Sequence, residues 1–147
     1  MNNVQGFSNN SSVFMDETDH NPDRNRKVLY FFYNNIFMMT MLKIYENHPY
    51  TVIVMPDHID LYNASDLKKS LFPLAEEKDF VAIDFSQVKV IDSSGLGVLA
   101  VLSKRMASMD KFLGVYGIPD NIYQIMKITA ADKYFNIFLT LEELKRS

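Results

Sequence analysis

Six consecutive residues, Asp92-Ser93-Ser94-Gly95-Leu96-Gly97, bring a carboxylate, two hydroxyls and two glycines together just after the apolar pair Val90-Ile91. An aspartate or serine ahead of a helix accepts hydrogen bonds from the orphan amides of the first turn, so Asp92, Ser93 and Ser94 are all candidate N-caps. The glycines ask for more than a cap. Each one inside a helix start costs about 1 kcal/mol relative to alanine, and departures of that kind gather at functional sites. Their effect is to strip the first turn, so that another backbone or another protein can approach the serines closely. Free N–H groups and the macrodipole also make a helix N-terminus tolerant of negative charge. An exposed serine there could carry a phosphate without unfolding its own domain.

Direct catalysis fits the segment poorly. A nucleophile elbow needs G-x-S-x-G, but Ile91 and Asp92 stand two residues before Ser93 and Ser94. A phosphate-cradling loop needs lysine right after its second glycine, and the first lysine beyond Gly97 is Lys104. Gly95-Leu96-Gly97 is followed by Ala100, where a dinucleotide fingerprint requires glycine. A general base is scarce too: His20 falls in a polar N-terminal stretch, His48 precedes a turn proline, and His58 reads as a loop residue. Without cysteine, thiolate catalysis, Cys-based zinc sites and disulfides are excluded. The reading is a protein that is not an enzyme, with no catalytic residue, metal or cofactor.

The elements that must position this segment follow from apolar patterning. Residues 42–46 (LKIYE) alternate as a strand does, His48-Pro49 marks a turn, and residues 51–55 (TVIVM) form a second strand. Leu67, Leu71, Leu74 and Ala75 lie on one helical face, in a helix that Asn63 can cap through Asp66. FVAID, residues 80–84, is short and apolar, as a buried central strand should be. After the DSSG segment, Leu96, Leu99, Leu102 or Ser103, Met106 and Met109 recur at helical spacing. Residues 112–116 read as a strand, and Pro119-Asp120 open a helix carrying Ile122, Ile125 and Met126. Residues 137–139 form a last strand and 141–145 a terminal helical turn. Strands alternating with helices need crossover connections. The fold class is therefore α/β, a mixed sheet of about five strands packed against about four helices.

Composition sets the frame for those elements. A chain of 147 residues, 48% hydrophobic, suits one globular domain. A net charge of −3 leaves no basic footprint for nucleic acid and no acidic solvating tail. Residues 1–27, rich in Asn, Ser and Asp, cannot bury enough surface to offset their ordering entropy and are expected to be disordered or loosely attached. Residues 28–42 then turn sharply apolar. Interrupted by Asn34 and Asn35, that run is too short for the ~20 apolar residues of a spanning helix. Acidic residues precede it and no small-residue cleavage site follows, so it reads as an amphipathic or partner-docked segment and not as a signal peptide. The expectation is a cytoplasmic domain over 41–147, with 1–40 an extension or with Met41 as the natural start.

VIDSSGLG at residues 90–97, preceded by FVAIDFS, resembles the signature of STAS-domain anti-sigma factor antagonists, the anti-anti-sigma factors of bacterial partner-switching systems. IDLYNA at 59–64 is similar to that family's segment before its first helix, and IFLTLEEL near the C-terminus resembles its usual ending. The likeness covers most of 41–147 and none of 1–40; where the family often has glycine before the I-D pair, Pro56-Asp57-His58 stands here. The resemblance implies a STAS-type fold. It also implies that Ser93, with Ser94 as second choice, accepts phosphate from a serine kinase that is itself the anti-sigma factor. Asp60 and Asn63 match polar positions beside the acceptor, with loop solvation and capping as their plain alternative. Together with Asp92, Ser93, Ser94, Gly95, Leu96 and Gly97 they make the expected partner surface. Asp92 orients the turn and need not be a base, because kinases supply their own base and metal. Lys104 and Arg105 read as a solvated helix face. A PP2C-type phosphatase would complete the cycle, with no direct nucleic-acid partner and no membrane span. Two other classes stay open: a STAS scaffold or accessory subunit of a stress-signalling or lipid-transport complex that is never phosphorylated, and a small-ligand or nucleotide-binding module. A hydrolase ranks last.

Overall fold

The computed structural model describes residues 42–147 in full, together with the strand backbone of 4–7, 11–16 and 28–33. In chain order the elements are β1 (Val4–Phe7), β2 (Ser11–Asp16), β3 (Val28–Tyr33), β4 (Leu42–Asn47), β5 (Tyr50–Val54), β6 (His58–Ile59) and α1 (Ala64–Glu77). There follow β7 (Phe80–Asp84), β8 (Val90–Ile91), α2 (Ser93–Ser108), β9 (Phe112–Tyr116), α3 (Asp120–Ile128), a 3-10 turn (Ala131–Tyr134), β10 (Asn136–Phe138) and α4 (Leu141–Arg146).

Among the described residues one sheet runs in the order β1-β2-β3-β4-β5-β7-β9-β10. The pairings from β1 to β5 are antiparallel, while β5-β7, β7-β9 and β9-β10 are parallel. The five strands from β4 onward in this sheet, with the four helices, make the mixed α/β architecture expected from the residue pattern. The strands at 80–84 and 112–116 fall where their apolar runs lie. β10 starts one residue earlier than the pattern suggested, and there Asn136 Nδ2 donates to Leu113 O at 3.0 Å, tying the edge strand to β9. β1 and β2, in the segment expected to be loosely attached, and β3, in the apolar run that follows it, continue the sheet beyond β4. The rest of 1–41, including His20, Asn34, Asn35 and Met41, lies outside the described residues.

Period-2 alternation divides the core between the two faces of the sheet. On one, Leu42, Ile44, Ile53, Met55, Val81, Ile83, Leu113 and Val115 meet the apolar stripes of α1, α2 and α3, all in one buried cluster. The stripes follow those read from the sequence, Leu67, Leu71, Leu74 and Ala75 on α1 and Leu96, Leu99, Leu102 and Met106 on α2, except that Met109 falls after the last residue of α2, as its half-buried C-cap. On the other face Tyr45, Val52, Val54, Ala82 and Tyr116 pack against Leu141 and Leu144 of α4. Three helices thus cover one face and a single short helix the other, so the long connections and the residues they carry lie on the α1–α3 side.

Candidate functional site

Two very short strands build the site. β6 and β8 pair in parallel, His58 with Val90 and Ile59 with Ile91, in a ladder separate from the main sheet. Asp57 O receives the amides of Lys89 and Val90, and Ile59 O receives that of Asp92 at 3.1 Å. The ladder sets the turn at residues 60–63, which leads into α1, beside the start of α2.

Asp92 joins the two. Its Oδ1 accepts from Ser94 N–H at 2.8 Å and Gly95 N–H at 3.1 Å, making it the N-cap of α2. Its Oδ2 accepts from Leu61 N–H at 3.0 Å, across from the turn. These bonds hold the Asp92 carboxyl below the usual carboxylate range, that from Gly95 most strongly; desolvation opposes them, and Leu61 and Ser94 add to the lowering. Of the three candidate caps, then, the aspartate takes the role. It ties the turn to the helix, and both serine hydroxyls remain outside the capping bonds.

Ser93, the first residue of α2, is exposed, whereas Ser94 is half-buried. Neither hydroxyl has a partner among the described residues. The two glycines differ sharply. A Cβ on Gly95 would lie 2.5 Å from Ile59 Cγ2 and 2.6 Å from Ile59 O, so this glycine admits the backbone of β6. A Cβ on Gly97 would meet nothing within 4 Å. Of the expected partner surface, Gly95 and Leu96 therefore face inward: Gly95 is filled by Ile59, and Leu96, 4% exposed, belongs to the core. Ser93, Gly97 and Val101, spaced by four along α2, make the open stripe.

Asp60 and Asn63 bond within the turn that joins them. Asn63 precedes α1 but gives it no side-chain cap; its Oδ1 accepts from Asp60 N–H at 3.0 Å and its Nδ2 donates to His58 O. Its helical backbone (φ −115°, ψ −5°) goes with a side chain folded back across the turn. Asp60 Oδ1 accepts from Tyr62 N–H at 2.9 Å. Between these two residues Leu61 and Tyr62 point into solvent, 70% and 79% exposed. The sequence reading passed over this pair, although two large apolar residues within a four-residue polar turn are a visible anomaly.

The remaining candidates are occupied locally. His58 Nδ1 lies 3.1 Å from Asp57 Oδ1, and this hydrogen bond is the main cause holding the Asp57 carboxyl low. Lys104 sits over the Tyr134 ring at 4.5 Å, and Arg105 pairs with Glu76 beside Phe72. Among the described residues no three of His, Asp or Glu are grouped to hold a metal ion, and no helix is long and apolar enough to cross a membrane.

Comparison with known proteins gives a consistent picture. A Listeria monocytogenes anti-sigma-B factor antagonist is 28% identical over 86 residues, which are 58% of this chain and 75% of the relative. An anti-sigma factor antagonist from Mycobacterium paratuberculosis superposes with TM-score 0.65 at 21% identity, over 71% of this chain and 90% of its own. The phosphorylated form of the Bacillus cell fate determinant SpoIIAA shares the fold at TM-score 0.55 and 10% identity, over 71% and 97% of the two chains. The STAS domain profile matches residues 40–144, the stretch that carries the β6–β8 ladder, the capping aspartate and both serines, and the chain belongs to the STAS domain family.

Proposed function

We propose that this protein is an anti-sigma factor antagonist working by partner switching. Unmodified, it docks on an anti-sigma factor through the start of α2 and the turn at 60–63 and frees the sigma factor. The anti-sigma factor is also a serine kinase. It transfers the γ-phosphoryl group of ATP to Ser93 Oγ, its own base takes the hydroxyl proton, and ADP leaves. A PP2C-type phosphatase hydrolyses the ester and resets the switch. The observation that carries this reading is the state of Ser93: an exposed, unpartnered hydroxyl directly after the residue that caps its helix. The name of the Listeria relative supports the choice of partner.

The switch works because phosphate is tolerated by one molecule and not by two. Phosphorylation adds about −1.5 to −2 of charge and three acceptor oxygens. In the free protein that charge stands at the N-terminus of α2, where the helix dipole favours it. In the complex the same group must be desolvated and fitted where close contact is needed. A loss of only ~3 kcal/mol lowers affinity more than a hundredfold, enough for release.

The test is incubation of the full chain with the purified anti-sigma factor kinase of its own organism and ATP, followed by peptide mapping and titration calorimetry. Phosphate is expected on Ser93. Ser93→Ala should bind like the parent and remain unmodified; Ser93→Asp should keep the parent's thermal stability and bind roughly a hundredfold more weakly. A Ser93→Asp protein that binds as tightly as the parent, or phosphate found elsewhere, overturns the proposal.

A further inference from the structure

The turn at residues 60–63 is fixed from within. Asp60 Oδ1 accepts from Tyr62 N–H, Asn63 Oδ1 accepts from Asp60 N–H, Asn63 Nδ2 donates to His58 O, and Asp60 O receives the amides of Asn63 and Ala64. From the side of α2, Asp92 Oδ2 accepts Leu61 N–H. The polar groups thus look inward, and what the turn shows to water is Leu61, 70% exposed, and Tyr62, 79% exposed.

A single exposed apolar side chain needs no explanation. Two adjacent ones on a turn held by so many bonds are another matter, because the backbone has already lost the freedom that binding would otherwise remove. A rigid aromatic beside an aliphatic is also the composition of an interface anchor. The position selects the occupant. Leu61 N–H and the start of α2 hang on the same carboxylate, so an active site that closes over Ser93 Oγ covers the adjoining turn as well.

We infer that Leu61 and Tyr62 are the apolar anchor for the serine kinase that modifies Ser93, seated in an apolar notch next to its phosphoryl-transfer site. Asp60 and Asn63 position that anchor and are not themselves the contact. The inference rests on the reading of Ser93 as acceptor and adds what holds the partner there.

The experiment uses the full chain carrying Leu61→Ser and Tyr62→Ser, the same purified kinase, and ATP. Initial rates over a range of antagonist concentration, thermal melting and sedimentation velocity are compared with the parent. The double variant should raise KM for the antagonist about tenfold or more, leave kcat within about twofold, and melt with the parent, since both side chains are exposed. Unchanged KM with normal phosphorylation of Ser93 overturns the anchor and leaves the acceptor standing. Loss of a parental dimer with KM unchanged overturns it in favour of a second copy of this chain as occupant. A lowered melting temperature with kcat and KM both impaired overturns it in favour of a structural role. A parent that is never phosphorylated on Ser93 overturns the acceptor and the anchor together.

Discussion

Two glycines two positions apart in the same helical turn have opposite reasons for being glycine. At Gly95 the missing Cβ is the space occupied by Ile59, and two of the clashing atoms, its carbonyl carbon and oxygen, are backbone that cannot rotate away. Gly95→Ala should therefore destabilise by about 1–3 kcal/mol in urea unfolding, as overpacking does. At Gly97 nothing lies within reach of an added methyl, and alanine should raise stability by up to about 1 kcal/mol through helix propensity alone. If Gly97 is kept bare for an incoming protein, the stabilised Gly97→Ala chain should also be phosphorylated more slowly on Ser93. A Gly95→Ala chain as stable as the parent would show that α2 can move off β6 at little cost. The sequence shows that both glycines violate helix preference; which one answers to the fold and which to the surface depends on Ile59, thirty-six positions earlier.

Between elements, the Asp92 carboxylate ties the first turn of α2 to the turn that leads into α1, one oxygen to each. Its folded-state pKa is depressed, so its contribution is fully present above the unfolded value near ~3.9 and is lost as pH falls through the folded value. Asp92→Asn separates the two ties. The amide oxygen can still cap α2, whereas Nδ2 cannot accept from Leu61 N–H. Amide exchange should accelerate at Leu61 but not at Ser94 or Gly95, and the acid limb of the stability profile should flatten below about pH 4. An exchange rate at Leu61 equal to the parent's would contradict the strut. This scale also marks what the sequence conveys. The strands at 80–84 and 112–116 and the stripes of α1 and α2 are legible because burial imposes a period or an unbroken apolar run. β6 and β8 have only two residues each, too few to show any period, and pairing between them is a tertiary fact. Asn63 can cap by residue type, but type predicts who can bond and not which neighbour arrives first; here Asp60 N–H and His58 O do. β1 and β2 lie in a stretch whose polar composition gives no strand signal, and only β3, in the apolar run that follows, pairs with the edge of β4 directly.

For the molecule as a whole, the sheet keeps switch and foundation apart. α1 to α3 and the elements that present Ser93 share one face, while the other is closed by α4, where Leu144 is fully buried and Gly114 leaves the space that its side chain fills. Polar groups on that second face are settled internally: Tyr45 and Tyr116 hydroxyls meet at 3.4 Å, and Tyr116 donates to Asp84 Oδ2 at 3.2 Å. Burial first, then the bond with Tyr45 and the nearby Asp84 carboxylate, push the Tyr116 phenol upward, so it stays a donor across the working pH range. Leu144→Ala should cost about 2–5 kcal/mol in urea unfolding, because a six-residue helix has few other contacts with which to close the cavity. The fraction that remains folded should nevertheless be phosphorylated on Ser93 at the parental rate. Combining Leu144→Ala with Ser93→Asp should give stability changes that add to within about 0.5 kcal/mol, as expected for independent sites on opposite faces of a sheet. A coupling beyond about 1 kcal/mol would mean that the two faces move together, and that closure of α4 on the sheet is itself an input to the switch.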